Sequence, residues 1–129
     1  MGAQVSWEDD EHTIMRVVYT EPWRTQDIYD ALEEITRMLD SVPHKVAIIV
    51  DVRSIKSIPR GVLKALYRVV STDRPNEEMY YIVGANSVVR AIYNAAKTIY
   101  PAIGKLVTFA SSIEEVPILI EEHRSKNTE

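Results

Sequence analysis

The sequence predicts an α/β fold on a mostly parallel sheet, and three observations carry that prediction. Val46-Ala47-Ile48-Ile49-Val50 is continuously apolar and largely β-branched, the pattern of a strand covered on both faces. Runs of this kind alternate with stretches of helical period, which implies right-handed crossovers between parallel neighbours. Two short β-type runs at the start lie close enough to form a hairpin, which adds one antiparallel strand. About five strands and about four helices are expected, in a single domain over 1–129.

In chain order, Val5 to Trp7 and Thr13 to Tyr19 form the hairpin around Glu8-Asp9-Asp10-Glu11, without the Asn-Gly pair that tight turns favour. Pro22 breaks the pattern. Thr25 is the expected cap of a helix with Asp27 in its first turn. Ile28, Ala31, Leu32, Ile35, Met38, Leu39 and Val42 form its apolar stripe, and Pro43 ends it. The central strand runs from Val46 to Asp51. A polar loop leads to a helix entered through Pro59, with Val62, Leu63, Leu66, Val69 and Val70 inward. Ser71 to Asn76 is a loop. Met79 to Val83 is a second central strand, closed by Gly84. Asn86 or Ser87 caps a helix whose Val88, Ile92, Ala95, Ala96 and Ile99 are expected to face the core, and Pro101 stops it. Leu106 to Phe109 is a last short strand. Ser112-Ile113-Glu114-Glu115 reads as a capping box. Pro117, about five residues inside, is expected to kink the helix that follows. Residues 119–129 form a charged helical tail expected to fray.

Composition excludes several classes. A 46% hydrophobic chain of 129 residues can build a core without a metal or disulfide staple. With no cysteine there are no disulfides, thiol nucleophiles, iron–sulfur clusters or cysteine zinc sites. The acidic start is no secretory signal, and no apolar run approaches the roughly 20 residues of a membrane helix, so a soluble, cytoplasmic chain without a transmembrane segment is expected. Charge is unevenly placed. Residues 43–110 hold ten Lys and Arg against four Asp and Glu, whereas the flanks hold five against fifteen. The basic middle reads either as a mixed surface folded together with its acidic ends, or as a site for an anion or acidic partner.

The element order, the strand and loop from Val46 to Ile58, the Gly61-Val62-x-x-x-Leu66 helix start, and Met79 to Gly84 before a capped helix resemble the STAS domain. That is the fold of anti-sigma-factor antagonists and of sulfate-transporter tails, and the chain looks closest to its divergent bacterial branch. The resemblance covers most of the chain and implies a STAS-like regulatory or protein-binding role. The antagonists' pattern runs Asp-Leu-Ser-x-Val-x-x-Ile-Asp-Ser-Ser-Gly-Leu, and here Asp51, Ile55, Ile58 and Gly61 match in type. The segment that carries the family's phosphoserine becomes Pro59-Arg60, one residue shorter and without a hydroxyl. The usual phospho-switch is therefore expected to be missing, and whether Ser54 or Ser57 replaces it stays open.

The candidate binding residues are Arg53, Lys56, Pro59, Arg60, Gly61, Lys64, Asn86, Ser87 and Arg90. Arg60, Lys64 and Arg68 recur every fourth residue, on one helix face, and no acid lies between Asp51 and Asp73. That face reads as solvated charge, or as a dock for an acidic protein, a phosphate-bearing ligand or an anionic lipid head. Tyr67 would stack on such a ligand. Asp51 either braces the loop or binds a cation or hydroxyl. Loops after adjacent parallel strands meet at the carboxyl edge, so 53–60 and 85–90 are expected to share a surface. The three histidines lack metal-ligand spacing, and Gly84-Ala85-Asn86 is no phosphate loop. Neither a metal nor a cofactor is expected, nor nucleic-acid binding. Tyr93 and Tyr100 read as a dimer seam or as the rim of the core.

The first functional expectation is a non-catalytic STAS-like interaction module that binds an acidic partner or anionic small ligand through 53–68 and 86–90. The alternative is a small-molecule or lipid carrier with an apolar pocket and a basic mouth. An enzyme is the least supported reading, for lack of a nucleophile constellation.

Overall fold

The computed structural model describes residues 2–127. Strands β1 (Ala3–Trp7), β2 (Ile14–Tyr19), β3 (Val46–Asp51), β4 (Glu77–Val83) and β5 (Val107–Ala110) form one sheet in the order β1-β2-β3-β4-β5. Only β1 and β2 are antiparallel, and the other neighbours are parallel. The helices are α1 (Thr25–Asp40), α2 (Val62–Ser71), α3 (Ser87–Ile99), the single turn α4 (Ile103–Leu106) and α5 (Val116–Asn127). The expected α/β class and the one antiparallel strand are thus observed.

The topology decides where the helices lie. Three successive crossovers move in the same direction along the sheet, so right-handedness collects α1, α2 and α3 on one face. Their core joins Met15, Val17, Ile28, Leu32, Ile35, Leu39, Val46, Ile48, Val62 and Tyr80. The opposite face is covered by α5, where Val116 and Ile120 pack on Ala47, Ile49, Tyr81 and Val83. Consequently β3 is buried on both sides, as its unbroken apolar run requires.

Several local expectations change. The hairpin loop is organised by Asp9, whose carboxylate accepts Thr13 N–H at 2.9 Å and Ile14 N–H at 3.0 Å, in place of a tight turn. Thr25 is the first helical residue, not the cap, and its hydroxyl donates to the Arg60 carbonyl. Asp27 still accepts the Arg24 N–H at 2.7 Å, half of a capping box. Helix α2 begins at Val62, after Gly61 in the left-handed region at φ 82°, so Pro59 belongs to the loop. Ser112 accepts Glu115 N–H at 3.2 Å and starts a 3₁₀ turn, after which Pro117 falls in the first turn of α5. A proline there forfeits no helical hydrogen bond, so the expected kink gives way to a helix start. The tail is helical through 127. Arg124 reaches Glu78 at 3.0 Å and the Thr13 carbonyl at 3.0 Å, while 128 and 129 lie outside the described residues.

On α3 the buried stripe is turned from its expected position. Ala96 is fully buried and Val89, Ile92 and Tyr93 are half-buried, whereas Val88 and Ile99 are 43% and 54% exposed.

Candidate functional site

Two features meet the requirements of a binding site: the surface at the carboxyl edge of β3 and β4, and the space beneath the helical layer.

At the edge, the β3–α2 loop and the start of α3 are joined. Asn86 donates from its amide to the Ile55 carbonyl at 3.0 Å and accepts Val89 N–H at 2.9 Å, so one side chain caps α3 and holds the loop. Gly84, at φ 82°, lets the two segments touch: a Cβ there would come within 2.8 Å of the Arg53 Cα. The β2–α1 connection closes the other side. Glu21 accepts Lys56 N–H at 2.7 Å and Ser57 N–H at 3.0 Å, and Trp23 donates to the Ser57 carbonyl at 2.9 Å. Those two backbone N–H bonds, first among several, hold the Glu21 carboxyl below its ordinary range. Glu21 therefore offsets part of the cationic loop from 35 residues upstream, which local sequence could not reveal.

The predicted site residues separate into four groups. Arg53 is engaged, pairing with Asp51 through Nη2–Oδ2 at 2.7 Å and Nε–Oδ1 at 3.0 Å. Asp51 also accepts the Arg53 N–H at 3.1 Å, so it braces the loop. Pro59, Gly61 and Asn86 shape the backbone, and Ser87 opens α3. Lys56, Arg60 and Lys64 are exposed side chains, and none of the three forms an ion pair among the described residues. Arg90 turns from the shared surface to lie over the Phe109 ring at 4.5 Å.

The hydrogen bonds from Arg53 hold the Asp51 carboxyl below its ordinary value of 3.8, against burial, which pushes it up; the Arg16 charge adds to the lowering. A depressed carboxylate stabilises the fold above its unfolded pKa and loses that contribution as pH falls. Arg53→Ala is therefore expected to destabilise the fold at neutral pH. The gap to the native protein should narrow as pH falls below about 4. Urea unfolding across pH measures it, and a gap constant with pH would show that the pair contributes nothing through Asp51.

Beneath the helices lies an apolar cavity of about 170 Å³ between the sheet and the α1–α3 layer. Ile35 and Ala31 of α1, Leu66 of α2, Ala96 of α3, Val17 of β2 and Tyr80 of β4 are among its walls. Ile55 and Ile58 of the cationic loop, together with Trp23, also line it. The loop thus turns its isoleucines to the cavity while Lys56 and Arg60 remain in solvent. Because the strand order never reverses, there is no switch-point crevice, and the space falls between the layers instead. Sequence reading offered an apolar pocket only as an alternative and named none of its lining residues. Its one local sign is that Ala31 and Ala96 occupy buried helix positions where larger residues would fill the layer.

Among the described residues no three His, Asp or Glu side chains come together as a metal set, and no helix is long and apolar enough to cross a membrane. No family model matches this chain, and no curated protein or solved structure is significantly similar to it.

Proposed function

We propose that this chain is a non-catalytic binding module that holds a small apolar ligand between its sheet and its α1–α3 layer, with the cationic loop 53–64 at the rim. This is the carrier alternative of the sequence analysis, and the cavity is the observation that supports it. Apolar walls that lack partner atoms forfeit packing, which a bound apolar ligand would restore. A dry apolar cavity of about 150 Å³ accepts a benzene-sized body, so a ring or a short acyl segment matches this volume. Lys56 and Arg60, beside Ile55 and Ile58, favour a ligand with an anionic end.

A second reading, the STAS-like interaction module with an acidic partner, is favoured by the exposure of Lys56, Arg60 and Lys64. The two readings separate in one experiment. Octanoate is expected to raise the melting temperature, with about 2.7 kcal/mol of added stability at a hundredfold excess over Kd and a further logarithmic rise above it. Sodium sulfate at matched ionic strength should not. An equal rise with both salts, or no rise with octanoate, rejects the carrier reading.

A further inference from the structure

The apolar flanks of α2 and α3 face each other without closing. On α2, Arg68 lies over the Tyr29 ring of α1 at 5.1 Å, which fixes the side turned to α1. At 3.6 residues per turn, Leu63, Tyr67 and Val70 then lie round the helix, toward α3. On α3, Arg90 and Tyr93 contact Phe109 at 4.5 and 4.8 Å, which fixes the side turned to β5. Val88 and Ile99, about three turns apart on one line, lie on the other side, toward α2. Tyr67 and Tyr100 touch at one end, with ring centroids 5.3 Å apart. Elsewhere the seam is incompletely covered: Tyr67 is 53% exposed, Val88 43% and Ile99 54%, and Leu63 and Val70 are only half-buried. The same two helices wall the cavity through Leu66, Val69 and Ile92.

The seam helices themselves carry one sign: α2, α3 and α4 contain Lys64, Arg68, Arg90, Lys97 and Lys105 and no Asp or Glu. Arg68 lies on the α1 flank and Arg90 and Lys97 on the β5 flank, while Asp51 and Glu21 offset part of the adjoining loop. Helix α1, by contrast, carries Asp30, Glu33, Glu34 and Asp40. A cationic surface with exposed apolar and tyrosine side chains complements an anionic bilayer: the cations meet the headgroups and the apolar side chains enter the interface. Nucleic acids would use the cations but leave Val88 and Ile99 without a role.

We propose that the α2–α3 seam docks on an anionic membrane surface and is the portal through which the cavity takes its ligand from the bilayer. The ligand part rests on the carrier reading; the docking part does not.

The test is co-sedimentation of the full chain with phosphatidylcholine vesicles, with and without phosphatidylglycerol. Binding is expected only to the anionic vesicles and should weaken steeply with salt. Each cation near such a surface contributes about fivefold, so Lys56→Glu/Arg60→Glu/Lys64→Glu should weaken binding at least about 100-fold. Ile99→Asp, at an exposed position, should weaken it about 10-fold or more, with circular dichroism confirming the fold. No binding, equal binding to neutral vesicles, an unaffected triple variant, or tighter binding to an oligonucleotide or acidic polypeptide overturns the docking proposal. Octanoate binding in vesicle-free solution is read in parallel. If it persists while docking fails, the docking and the portal fall and the carrier reading stands. If it fails while docking holds, the portal and the carrier reading fall together.

Discussion

Replacing Arg74 with alanine is expected to remove about 3–5 kcal/mol of stability, as breaking one side of a buried ion pair does. The Arg74 and Glu77 side chains are 2% and 7% exposed, with Nε–Oε2 at 2.7 Å. Arg74 also donates to the Val69 carbonyl at the end of α2, and the Tyr80 hydroxyl donates to the same Glu77 carboxylate. Burial, with the Glu77 charge beside it, pushes the Tyr80 hydroxyl well above its ordinary range, so it stays a donor. Arg74→Ala would leave a buried carboxylate without its cation and a helix carbonyl without its donor. Guanidinium unfolding measures the loss. Glu77→Leu should also destabilise, and the double substitution should cost less than the sum, because the two residues act as one unit. Additive losses, or a loss below about 1 kcal/mol for Arg74→Ala, would show that this pair does not fix the α2–β4 turn.

Filling the cavity should have the opposite sign. Ala96 is fully buried and lines the space from α3. In a packed core, adding the three carbons of leucine would cost about 1–3 kcal/mol. Here those carbons enter unoccupied volume, and about 1–2 kcal/mol of added stability is expected. The same substitution should abolish octanoate binding by occupying its place. A rise in stability coupled to a loss of ligand is specific to a cavity that serves binding. If Ala96→Leu destabilises by 1 kcal/mol or more, the layer has no room there and the cavity argument fails.

The fold was legible because its strongest signals are local. The apolar run of β3, the stripe of α1 and the Pro and Gly residues at element ends each prescribe an element from neighbouring residues. What escaped was set by distant contacts. Glu21 clamps Lys56 and Ser57 from the far side of α1, and Asn76 donates to the Leu39 carbonyl at 2.8 Å to join the end of α1 to the start of β4. Neither pairing has a period or motif. On α3 the apolar residues are spread so widely that two stripes fit, and tertiary packing chose Val89, Ile92, Tyr93 and Ala96 over Val88 and Ile99. At the candidate site, sequence placed 53–60 beside 86–90 through strand adjacency, and Asn86 makes that junction. The apolar pocket was an alternative in the sequence, but its lining was not legible, because a space is defined by what several elements fail to fill.

Trp23 offers the most direct measurement of the central claim. It lines the cavity, and Trp7, stacked on His12 in the hairpin, is the other tryptophan in the chain. In a Trp7→Phe background, Trp23 emission would be followed while octanoate is titrated. Saturation at one ligand per chain, absent when Ala96→Leu is added, is the predicted result. An emission unchanged by octanoate, or a change that never saturates and persists with Ala96→Leu, would contradict an apolar ligand site between the sheet and its helices.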